Sequence, residues 1–272
     1  MDRSRPLPLR RRATLPSVRQ PSATIEHRRE RVGGLRTAWV ERHADVATSR
    51  VPLVLVPGLS MSWQAYRWVL DVLPTDRDVM VVDPPGAGRS ARLRGGMSAD
   101  AQARHLAAWL DHLQLPGLDL VGHSLGALTA ARLAAARPEL VRAVTLVSPS
   151  PDPRMPRLRE HVGALAAGVP QEAPRVLVQA AYDYVRSSPR VVAGFRREIG
   201  TTADEVMEGV RATVLVVRGS EDRVSSERWC GDLAEAGGGR LVTVPDGAHG
   251  LPQQHPRELV ALLDDRSTDR HG

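Results

Sequence analysis

From residue 51 onward, short runs that are almost wholly apolar alternate with stretches whose apolar residues recur every three to four positions. Val51–Val56, Arg77–Asp83, Leu118–Val121, Arg142–Val147, Thr213–Arg218 and Arg240–Val244 are of the first kind. A strand covered on both faces has no side to show to water, so these runs predict the central strands of a parallel sheet. The second kind predicts helices. Ser62 stands ahead of one over Trp63–Leu73, and Ala103, Leu106, Ala107, Leu110 and Leu113 mark one within Ser98–Leu113. Another runs from Leu125 to Ala136 until Pro138 forbids its continuation, and two more cover Ser226–Ala236 and the stretch from Pro256 through Leu263. Strand and helix in turn are the pattern of repeated βαβ units. Ahead of them, Thr24–Arg31 and Leu35–Glu41 flank Gly33-Gly34 and predict a hairpin.

The alternation breaks at Pro149. Residues 151–208 carry no strand pattern but four short amphipathic stretches, Met155–Ala167, Pro174–Arg186, Pro189–Ile199 and Ala203–Met207, with starts at Pro174, at Ser188 before Pro189, and at Thr202 with Glu205. Four helices exceed one crossover, so an inserted helical cap is expected there. The predicted class is α/β: a mostly parallel central sheet with helices on both faces and a helical insertion. Its core comprises 23–150 and 209–265, its cap 151–208, with a disordered leader over 1–22 and a frayed tail over 266–272.

Composition narrows the picture. The 272 residues are 42% hydrophobic and 25% charged, and no apolar run reaches the length of a membrane span, which argues against an integral membrane protein. The net charge of +6 raises nucleic acid as a partner. Residues 1–36, however, hold 10 Arg against Asp2, Glu26 and Glu30, a net of +7, and the remainder holds 27 Arg against 28 acids, a net of −1. The basicity belongs to the leader, around Arg10-Arg11-Arg12, and not to a patterned nucleic-acid face. That leader lacks the hydrophobic region an export signal needs. All 37 basic residues are arginine, which excludes lysine-based catalysis. Cys230 is the only cysteine, so no intramolecular disulfide forms and a cytoplasmic compartment is expected.

The chemistry centres on Gly122-His123-Ser124-Leu125-Gly126. A serine on a strand-to-helix corner sits in a strained backbone conformation that lifts its hydroxyl off the sheet, and the flanking positions must lack side chains. The following helix aims free N–H groups at the same spot. A serine hydroxyl is a weak nucleophile and needs a histidine base steered by a carboxylate. In a parallel sheet such partners lie in loops after strands, where Asp222 and His249 occur. Asp152 and Glu221 compete for the acid's place. His123 reads as a packing residue, because neighbours at a sharp corner diverge, and His255 as a helix-start residue. The histidines show no metal-ligand spacing.

Four stretches together resemble the α/β-hydrolase fold over roughly residues 30–265: the elbow, Asp83-Pro84-Pro85-Gly86-Ala87-Gly88-Arg89-Ser90, Gly219-Ser220-Glu221-Asp222-Arg223-Val224, and Gly247-Ala248-His249-Gly250. The resemblance implies Ser124 as nucleophile, His249 as general base and then acid, and Asp222 as the orienting carboxylate. It implies an oxyanion hole from the backbone N–H groups of Leu125 and Leu59, although Pro57-Gly58 stands where many relatives have His-Gly. Serine at the elbow, in place of aspartate, disfavours epoxide opening and halide displacement. The implied activity is hydrolysis of a small or medium ester or thioester through an acyl-enzyme, without cofactor or metal. Carbon–carbon bond hydrolysis and cofactor-free haloperoxidase-like chemistry use similar triads, and a non-catalytic ligand-binding protein on the same scaffold is the alternative of another class. Of Trp63, Tyr66, Tyr182, Tyr184 and Phe195, any could line the pocket, but aromatics at helical spacing are more often core.

Overall fold

The computed structural model describes residues 24–93, 97–186 and 189–268. The basic leader, Ser188 and the last four residues of the expected tail lie outside them. Eight strands form one sheet: β1 (Glu26–Val32), β2 (Leu35–Arg42), β3 (Leu53–Val56), β4 (Val79–Asp83), β5 (Leu118–His123), β6 (Val141–Val147), β7 (Thr213–Gly219) and β8 (Arg240–Val244). Their spatial order is β1-β2-β4-β3-β5-β6-β7-β8. The β1–β2 hairpin joins antiparallel to β4, and the other pairings are parallel. Strand β1 forms an edge, and six of its seven residues are exposed and mostly charged. Such an edge is a poor template for pairing with another chain.

The wholly apolar strands are explained by two cores. Val54 and Val56 of β3 pack in one and Leu53 and Leu55 in the other, because successive side chains leave a strand on opposite faces. The first core is closed by α2 (Ala99–Leu113) and α3 (Leu125–Ala136), the second by α1 (Arg67–Val72). Ser98 caps α2 by accepting from Ala101 N at 3.3 Å. The helix expected over Trp63–Leu73 is divided: a 3₁₀ turn covers Trp63–Tyr66 before α1. Ser62 does not cap it, since its hydroxyl bonds to Asp183.

Between β6 and β7 stand α4 (Leu158–Gly168), α5 (Pro174–Arg186), α6 (Pro189–Glu198) and α7 (Ala203–Met207). The last of these departs from expectation. Val206 and Met207 are buried in the core beside Leu133 of α3 and Leu233 of α8 (Glu227–Ala236), so this helix closes the sheet and is not part of a cap. After β8 come α9 (Leu251–Gln254), a turn the periodicity did not announce, and α10 (Pro256–Thr268), which runs three residues into the segment expected to fray. Among the described residues no helix is long and apolar enough to cross a membrane.

Candidate active site

Strand β5 delivers the chain to Ser124, whose φ of 56° and ψ of −125° lie far from those of either flanking element. Close approach explains the glycines beside it. A Cβ on Gly122 would lie 2.2 Å from the Gly126 carbonyl oxygen, and one on Gly126 would lie 2.4 Å from the carbonyl oxygen of Pro57. The corner is thus wedged onto the loop after β3, and Ser124 N donates to Val147 O of β6 at 2.9 Å.

The turns after β7 and β8 bring two more side chains to the serine. His249 Nε2 is 3.1 Å from Ser124 Oγ, and its Nδ1 is 3.2 and 3.1 Å from Asp222 Oδ1 and Oδ2. Facing a carboxylate, Nδ1 carries the ring proton and donates it, which leaves the Nε2 lone pair to accept from the serine hydroxyl. Asp222 is buried, and its Oδ1 also accepts from Val224 N and Ser225 N at 2.8 and 3.0 Å. Burial alone would raise its pKa, but His249 and these donors hold it at about 2. Burial likewise opposes charge on His249, yet Asp222 and, more weakly, Glu172 outweigh it, and its pKa lies above 6.5.

The competitors are placed elsewhere. Asp152 is buried at the start of α8, where it accepts from Ser226 N at 3.2 Å, from the Ser226 hydroxyl and from Arg154 N. Glu221 is exposed, and His255 lies 3.7 Å from Glu258. His123 needs correction. Its side chain lines the same cavity as Ser124, its Nε2 donates to the main-chain carbonyl of His249 at 2.8 Å, and the two rings lie 5.2 Å apart. It holds the segment that carries the His249 ring. Burial, and then the charge of His249, depress its pKa to about 4, so it is neutral at pH 7.

Glu172 is a residue that sequence patterns did not single out. It follows the 3₁₀ turn after α4, and its Oε1 accepts from Gly250 N at 2.8 Å while Oε2 accepts from Gln254 Nε2 at 2.9 Å. Burial raises its pKa. The insertion is tied again on the opposite side: Asp183 of α5 accepts from Ser62 Oγ at 3.1 Å, just beyond the loop that holds Leu59. The N–H groups of Leu59 and Leu125 make no hydrogen bond among the described residues.

Ser124 and His249 open into a cavity of about 380 Å³. Its walls are aliphatic, with Leu59 and Met61 from the core and Leu158, Val162 and Leu177 from the insertion, and no arginine lines it among the described residues. Phe195 lines it too, whereas Tyr66 is fully buried, Tyr182 is half-exposed and Trp63 meets His27 edge to face; the side chain of Tyr184 lies outside the described residues. Two polar side chains in the wall, His161 and Gln253, keep their polar atoms without hydrogen-bond partners. A group that could converge on a metal ion, Glu26, Glu41 and His43, stands on the hairpin, where Arg28 and Trp39 already engage Glu41.

Comparisons with known proteins agree with this architecture. The family described as alpha/beta hydrolase fold matches residues 51–181. A proposed carbamate hydrolase, RutD, of Pseudomonas syringae pv. syringae is 37% identical over 122 residues, 43% of this chain and 44% of that protein. The chain thus spans less than half the length of the curated relatives it matches first. Among solved structures, a proposed lipase of Acinetobacter baumannii superposes with a TM-score of 0.75 at 16% identity, covering 92% of this chain and 94% of that one. A serine hydrolase involved in carbazole degradation superposes with a TM-score of 0.73 at 20% identity, covering 91% and 100%.

Proposed function

The chain is a protein of the α/β-hydrolase fold, and on that premise we propose that it is a serine hydrolase acting on uncharged, largely aliphatic acyl esters. The observation that carries this reading is His249 standing within hydrogen-bond reach of both Ser124 and Asp222. His249 takes the proton of Ser124 Oγ as that oxygen attacks the ester carbonyl. The N–H groups of Leu125 and Leu59 receive the negative charge that develops on the carbonyl oxygen. Collapse of the tetrahedral intermediate breaks the bond to the alcohol, which leaves with the proton now on His249. The acyl-enzyme is then hydrolysed by water, activated by the same imidazole, and Ser124 Oγ recovers its proton. Asp222 remains ionised throughout and stabilises the imidazolium that forms twice in the cycle.

The cavity supports the substrate class. Its volume suits a small or medium acyl group. Aliphatic walls favour hydrocarbon, and Glu172 in the wall, with no described arginine beside it, disfavours carboxylates and phosphates. The relatives named as hydrolases support hydrolysis as the reaction type, and these walls favour an uncharged substrate. The test is labelling by a serine-directed fluorophosphonate combined with turnover of neutral aliphatic esters. Ser124→Ala is expected to abolish labelling and to lower kcat by about 10⁴-fold or more. Equal labelling of the Ser124→Ala protein overturns the reading.

A further inference from the structure

Single exposed apolar side chains are ordinary on a protein surface, but here they are gathered. Among the described residues every exposed large apolar side chain except Val46 lies between residues 162 and 192, on the insertion. Helical spacing sorts them into stripes: Val162 and Leu165 on α4, with exposed Arg159 one turn before Val162; Val178, Tyr182 and Val185 on α5; and Val192 on α6, with exposed Arg196 one turn on. Arg175 of α5, by contrast, is engaged, donating to Gln253 O at 2.8 Å and lying over the Trp68 ring. The carboxylates of these helices are turned from that face or engaged. Asp183 and Glu198 are buried, Glu160 closes the α4 cap with Arg157, and Glu172 is held by Gly250 N. The exposed face of the insertion is therefore apolar, and it is cationic at α4 and α6.

We propose that this face docks on an anionic phospholipid bilayer. Valine side chains enter the boundary between headgroups and acyl chains, while arginine stems lie along it and their guanidinium groups meet phosphates. Charge decides against a second copy of the chain, because pairing this face with itself sets arginines against arginines. Val162 and Val192 also line the cavity, so the docked orientation turns its mouth toward the lipid. The surface is independent of the catalytic reading, and its test does not use turnover as the readout.

The experiment is sedimentation of the full-length chain with vesicles of phosphatidylcholine alone and of phosphatidylcholine with phosphatidylglycerol. Binding to the anionic vesicles, weakened by salt, is expected, with little to the neutral ones. Val178→Asp combined with Val185→Asp is expected to weaken it about ten-fold or more, and Arg159→Glu combined with Arg196→Glu to remove the preference for phosphatidylglycerol. Neither pair touches the triad, so fluorophosphonate labelling and the circular dichroism melt report that the variants are folded. A third variant replaces Arg10, Arg11 and Arg12 with alanine. Binding that this variant loses but the valine variant keeps overturns the proposal in favour of the leader. A dimer that the valine variant converts to monomer overturns it in favour of self-association, and absence of vesicle binding overturns it outright.

Discussion

At the level of single residues, the proposed base, His249, is governed by charges from two parts of the chain. Asp222 faces His249 from the turn after β7, Glu172 faces it from the insertion, and His123 lies against its ring. Because both carboxylates favour the protonated ring, and only the neutral ring accepts from Ser124, kcat/KM is expected to rise with pH through a midpoint above 6.5. Glu172→Gln preserves an oxygen for Gly250 N but removes the charge. That midpoint should therefore fall in a pH–rate profile. Asp222→Asn takes away the acceptor that fixes the Nδ1 proton, and kcat should drop about 10⁴-fold. Ser124, Asp222 and His249 were legible because each follows an apolar run in a turn-rich stretch. Glu172 was not, since it lies in no periodic pattern and its partner is 78 residues away. His123 was read only by its neighbour in sequence, whereas its contact is a backbone carbonyl 126 residues on.

At the level of elements, the elbow and the insertion are tied down differently. The elbow depends on backbone contact, so Gly122→Ala drives a methyl into the Gly126 carbonyl and is expected to cost about 3 kcal/mol or more, read as a lowered urea midpoint. The insertion depends on polar ties. Asp183 accepts from Ser62 and from Gln179 Nε2, the latter at 2.8 Å, and Asp183→Ala breaks both. Limited proteolysis should then cut α4–α6 faster, with the melting temperature of the core nearly unchanged. The strands could be read from sequence because burial on two faces leaves a run without polar positions. Which layer a helix joins could not. Five residues of α7 show the same amphipathic pattern whether they lie over a site or against α3, and only the position of Val206 and Met207 in the core separates the two. The same shortness hid the division at Tyr66 and the turn of α9.

At the level of the whole molecule, two histidines shifted in opposite directions shape stability against pH. His123 is held neutral, with a pKa of about 4 against 6.5 when unfolded, so the unfolded chain binds more protons between those values. Its contribution falls as pH drops from 6.5 to about 4, by roughly 3 kcal/mol at most. His249 runs the other way: its raised pKa adds stability that is full below 6.5 and is lost as pH rises through the folded value. Asp222 adds stability above 3.8 that disappears only as pH falls through about 2. Urea midpoints taken from pH 7 to pH 4 should therefore fall less steeply for His123→Asn than for the parent.

The backbone of Ser124 has a global consequence too. A non-glycine residue at a φ of 56° and ψ of −125° occupies a region where only glycine is at ease, at a cost of about 1–3 kcal/mol. Ser124→Gly releases that strain and gives back roughly 1 kcal/mol in the greater freedom of its unfolded chain. The Ser124→Gly protein is thus expected to melt a few degrees above the parent, roughly 2–4 °C per kcal/mol gained in a chain of this size. Selection for a hotter-melting variant alone would therefore favour loss of the very side chain on which the proposed reaction depends.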